Sequence, residues 1–151
     1  MKTIPRIYFI LPVILIALGS CAKHDQLPIA NPIVFHVILS GTNEIPANLS
    51  TATGSGTFSY DPLTHILSGS VVYQGMSSSG AHIHRGSAGE IGQVAFLLGT
   101  VPISSPLLFK SPPLANSERD DLMTNKYYIN MHSEAYPSGE IRGQIVLITS
   151  K

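Results

Sequence analysis

The hexapeptide Ala81-His82-Ile83-His84-Arg85-Gly86 decides how this chain is read. Successive side chains of an extended strand point to opposite faces, so His82 and His84 share one face and Ile83 takes the other. Two strand rises separate the histidine Cα atoms by ~6.6 Å, which lets both imidazoles converge on one point. The same alternation returns in Tyr128-Ile129-Asn130-Met131-His132, where Tyr128, Asn130 and His132 oppose Ile129 and Met131. It returns again in Gly139-Glu140-Ile141-Arg142-Gly143-Gln144, where Glu140 and Arg142 oppose Ile141. Three short strands, each polar on one face and apolar on the other, predict a single polar cluster carried on a β scaffold.

Working outward, residues 33–39 alternate as a first strand with Ile33, Phe35, Val37 and Leu39 on one face and His36 on the other. Residues 54–60 and 65–73 read as a second and third strand, separated by the turn signal Asp61-Pro62. Gly86 to Gly92 is a glycine-punctuated loop without the preceding apolar strand, following helix and lysine of a phosphate-cradling loop. Residues 94–98 form a short apolar strand. Pro102, Pro106, Pro112 and Pro113 bar a central strand after it, leaving 107–110 to pair at an edge. Ser117-Glu118-Arg119-Asp120 reads as an N-cap with an acidic residue three positions on, opening one short helix near 117–124. Residues 127–132 and a closing strand over 140–148 complete the chain. Many short strands between turns predict an all-β domain, a two-sheet antiparallel sandwich or Greek-key barrel.

The first twenty residues stand apart. Lys2 and Arg6 precede an apolar run over 7–18, too short for the ~20 residues of a membrane span, which reads as an export signal. Leu18-Gly19-Ser20-Cys21 resembles a bacterial lipoprotein signal, which implies lipidation of Cys21 and a membrane partner through that lipid. The expected location is the bacterial cell envelope. Residues 21–32 are then a tether and 33–149 the domain. Removing residues 1–20 leaves roughly 130 residues, the size of one domain with a core of its own. Cys21 is the only cysteine, so no disulfide framework exists. Nine basic and nine acidic residues balance, with no basic stripe, and nucleic acid is not an expected partner.

Several separated motifs together resemble the CHRD domain, the module first named from chordin and also found in bacterial secreted proteins. They are Phe-His-Val-Ile-Leu-Ser-Gly-Thr-Asn-Glu-Ile-Pro over 35–46, Thr53-Gly54, the His82–His84 strand with Gly86 and Gly89, the Tyr128–His132 strand, and the run over 137–144 ending Gly-Glu-Ile-Arg-Gly-Gln. Met131, Ser133 and Ser138 stand where that pattern usually has Val, Thr and Ala. The resemblance spans 33 to about 148 and implies a β-rich extracytoplasmic module. It does not imply an agreed activity.

Two readings of the polar cluster follow. In the first, the chain is a non-catalytic binding or envelope-structural module, and its histidines are hydrogen-bonded structural residues. Glu44, Asn130, Glu140, Arg142 and the Tyr128 hydroxyl would pair their ring nitrogens and fix strand register. In the second, His82, His84 and His132 hold zinc or copper, because three neutral imidazoles with an open fourth position suit either ion. The His-x-His strand is similar to the copper-binding strand of copper–zinc superoxide dismutases. A catalytic centre of that kind needs further histidines and a disulfide, whereas only His36 and His65 remain in the domain. His24, His36 and His65 read as surface or strand-face residues. No nucleophile motif accompanies Glu140 and Arg142, so no catalytic residues are assigned.

Overall fold

The computed structural model describes residues 31–99 and 103–149. The signal over 1–20, Cys21 and all but the last two residues of the tether lie outside the described residues. Among the described residues, nine strands and one short helix follow in order: β1 (Ile33–Ser40), β2 (Thr53–Asp61), β3 (Ile66–Gln74), β4 (Gly80–Arg85), β5 (Gln93–Leu97), β6 (Leu107–Lys110), α1 (Asn116–Met123), β7 (Tyr127–His132), β8 (Ile141–Gln144) and β9 (Val146–Leu147). A single 3-10 turn, Gly41–Asn43, follows β1.

All strand pairs are antiparallel, in the order β5-β4-β7-β8-β1-β2-β3-β6, with β9 added to β1. The all-β fold is therefore present. Its two layers belong to one hydrogen-bonded sheet that curls into a half-barrel. Phe96 of β5 and Phe109 of β6, from opposite ends of that order, bring their ring centroids within 5.7 Å. Phe109 also packs on Phe58 at 6.3 Å, and the concave face between them is the core.

Period-2 alternation places the core residues. Phe35, Val37 and Leu39 of β1 are at most 1 % exposed, while Ile38 between them is 61 % exposed. Ala81 and Ile83 of β4 and Ile129 and Met131 of β7 are fully buried on the same concave side. Leu122 of α1 closes the core, and Asp121 beside it pairs with Arg85 of β4 and, at 3.6 Å, with Lys126.

Two details differ from the sequence reading. Helix α1 begins at Asn116, and its N-cap is Ala115 rather than Ser117. Glu118 holds that end, its carboxylate accepting the Ala115 N–H at 2.7 Å, the acidic half of a capping box with no capping hydroxyl. The expected continuous closing strand is interrupted at Ile145, which donates its N–H to the Tyr127 carbonyl. Asn125, in the left-handed region at φ 58°, accepts the Leu147 N–H with its side chain at 2.8 Å. That contact swings β9 onto Phe35 and His36 of β1.

Candidate metal centre

Ala81 and Ile83 of β4 bury into the core, so His82 and His84 must project from the convex face. β7 lies beside β4 in the register His82↔Asn130 and His84↔Tyr128, with Gly80↔His132 above them. β8 continues the row with Asn130↔Arg142 and Tyr128↔Gln144. The polar side chains of three strands thus share one face, on the opposite side of the sheet from the core. A register shift at Ile83/His84, where β5 carries one extra residue, keeps Phe96 inward opposite Ile83 while Val94 stands outward beside His84.

Two loops cover this face. Residues 86–92 fold over its lower part: the Gln144 amide donates to the Gly86 carbonyl at 2.9 Å, Arg142 Nη2 donates to the Glu90 carbonyl at 2.6 Å, and the Gly92 N–H donates to the Tyr128 hydroxyl at 3.0 Å. Residues 133–139 cover the upper part, where the Asn130 amide reaches the Ser138 carbonyl at 3.4 Å. The loops leave Tyr128, Asn130 and Arg142 buried and the three histidines half-buried.

The loops also determine the tautomers. His84 Nδ1 lies 2.9 Å from the Gly92 carbonyl oxygen, and His132 Nδ1 lies 3.0 Å from that of Pro137. A carbonyl oxygen only accepts, so both Nδ1 atoms carry the proton. In the neutral rings the Nε2 atoms are then bare lone pairs. His132 Nε2 meets His82 Nδ1 at 3.1 Å, which fixes the proton of the metal-free pair on His82 Nδ1. His84 Nε2 is buried and has no hydrogen-bond partner, an arrangement that costs about 1–3 kcal/mol. One nitrogen from each of the three rings lies within 4.8 Å of the others.

Burial is the first cause holding the His82 pKa below its usual 6.5, with the neighbouring His132 and His84 adding to it. Burial likewise lowers the His132 pKa, against the opposing hydrogen bond to Pro137. These two rings are neutral at pH 7, the form in which imidazole binds a metal. Zinc bound at ~2.0–2.1 Å in a tetrahedral site spaces its nitrogens by ~3.3 Å. The His82–His132 pair already has that spacing, and the His84 nitrogen lies within 4.8 Å of both.

The other anticipated polar residues join the cluster through different partners. The histidine nitrogens bond to main-chain carbonyls and to each other, not to Glu44, Asn130, Glu140 or Arg142. Glu140 accepts the Ser50 hydroxyl at 2.6 Å. Glu44 Oε1 and Asn130 Oδ1 are buried without partners and crowd Gly139, where a Cβ would meet them at 2.6 and 2.5 Å. At φ 142°, Gly139 has a backbone that other residues rarely adopt. Burial raises the Glu44 pKa, opposed by the Ile45 N–H and the charge of Arg142.

Tyr128 plays a part the sequence did not reveal. Its ring stacks on His84 at 4.9 Å and 12°, and Arg142 Cζ sits 3.4 Å from its centroid. Gly92, Pro137 and Glu90 carry no side-chain signal for this role, because they act through main-chain groups. The glycine punctuation of 86–92 is the one sequence signal for that loop.

An all-β half-barrel with a loop-covered polar cluster on its convex face is the class of protein these features define. A family model for the CHRD domain matches residues 35–145, and the chain belongs to that family. No curated protein and no solved structure gives a significant match.

Proposed function

We propose that this chain is a lipid-anchored, extracytoplasmic CHRD module that binds one zinc or copper ion on His82 Nδ1, His84 Nε2 and His132 Nε2. The observation that carries the reading is His84. Its Nδ1 is fixed by the Gly92 carbonyl while its Nε2 is buried, bare and unpaired beside two other imidazoles. A purely structural histidine has both nitrogens paired or one in water. Backbone carbonyls that orient the non-ligating nitrogen are the usual supports of metal-bound histidine. On binding, the ion takes the place of the proton between His82 and His132, and that proton moves to His82 Nε2. The ring stays neutral and no net proton need be released.

The structural role of the cluster is retained within this reading, since the same hydrogen bonds hold both loops on the sheet. With three neutral protein ligands, a fourth position is left for water or a small ligand. No general base or nucleophile is assigned.

The test is equilibrium dialysis of untagged protein against zinc and against copper, followed by elemental analysis. One ion per chain is expected, with at least about a hundredfold loss of affinity in His82→Ala/His84→Ala. A folded wild-type protein that retains neither metal overturns the proposal.

A further inference from the structure

Arg142 is 4 % exposed, and among the described residues no carboxylate oxygen lies within 4.0 Å of it. A buried cation ordinarily has a carboxylate partner. This one has the Glu90 carbonyl and the face of Tyr128. β8 and β4 flank β7 on opposite sides, so guanidinium and imidazole take opposite faces of the tyrosine ring. The three groups form one column: Arg142, Tyr128, His84. The hydroxyl of Tyr128 is tied to Gly92, whose carbonyl also holds His84. The column therefore has no free rotor, and the charge stands at a fixed place behind one ligand.

We infer that Arg142 is a positioning residue of the histidine centre: through Tyr128 it fixes the His84 imidazole, and its charge, which has no carboxylate in direct contact among the described residues, favours the cuprous over the cupric state of a copper ion held there. The inference rests on the metal-binding reading above. Three imidazoles contribute no negative charge, so the ion keeps its full charge in the site. The guanidinium, within about 10 Å of the ring nitrogens and inside one Debye length, repels Cu(II) twice as strongly as Cu(I). Reduction takes up one electron and no ligand proton, because all three rings are neutral in both states.

The test measures the midpoint potential of copper-loaded protein by mediated titration, one electron from the mediator converting Cu(II) to Cu(I). Arg142→Gln removes the charge and keeps an N–H for the Glu90 carbonyl. It is expected to lower the potential, equivalent to roughly a fourfold fall in the preference for Cu(I). Arg142→Lys restores a cation and is expected to return the potential toward wild type. Should Arg142→Gln not fold, Arg142→Met carries the same expectation. An unchanged potential in the neutral variant, or equal shifts in the Lys and Gln variants, overturns the inference and leaves the metal site standing. A wild-type protein that binds zinc but no copper overturns the inference alone, and one that binds neither metal overturns both.

Discussion

His82 and His132 link the chemistry of single side chains to stability. Both pKa values lie below the usual 6.5 because burial disfavours the charged ring. As pH falls, the unfolded chain takes up these protons before the native protein does, so the native state loses ground. The stability present above 6.5 should therefore decline through 6.5 toward the folded values, then level off. Glu44 works in the opposite sense. Its folded pKa is raised, so its burial penalty is relieved as pH falls through that value. Urea midpoints measured in metal-free buffer from about pH 8 to about pH 5 should fall for wild type. They should fall less for His82→Gln/His132→Gln; a slope unchanged in that variant would mean the two rings are not held neutral by burial. The shared face of these histidines was legible from alternation alone. Their partners were not, because the Gly92 and Pro137 carbonyls come from loops whose course depends on how distant strands pair.

At the scale of elements, the sequence showed strands well where one face is buried. Phe35, Val37 and Leu39 repeat every second residue because β1 must bury one side and expose the other. It showed less where a side chain from outside the strand interferes, as Asn125 does at the break between β8 and β9. It also left the order of strands open. Ser40 pairs with Arg142 across most of the chain, a contact no local pattern encodes. The covering loop 86–92 is the element on which the metal reading depends most, since it holds His84, Tyr128, Arg142 and Gln144 together. Gly92 has no room for a side chain: a Cβ there would overlap the Arg85 carbonyl oxygen. Gly89, at φ 82°, has nothing within 4 Å. Gly92→Ala should thus displace the loop and cost about 2–3 kcal/mol, whereas Gly89→Ala should cost only the ~1 kcal/mol of a left-handed backbone. Urea denaturation of both variants, with zinc affinity measured alongside, checks this. Equal losses would show that the loop does not hold the face in place.

At the scale of the whole molecule, the proposed lipid attachment and the proposed metal site fall on different parts of the chain. Among the described residues, the core extends from Phe35 to Ile145. Within the sheet, β1 starts at Ile33, and its far end, Ser40, lies in one row with Arg142, Asn130 and His82. Seven strand rises, ~24 Å, separate the two ends. His82 and His132 therefore stand at the end of the sheet away from Ile33. If Cys21 bears the lipid, the protein is held through the segment before β1. Cys21→Ser should then move the protein from the membrane fraction to the soluble one. Its melting temperature and its metal stoichiometry should be unchanged, because the core and the histidine face described above are built from residues of β1 and beyond. Membrane retention of that variant would refute the anchor. Release accompanied by loss of metal would refute the independence of the two ends.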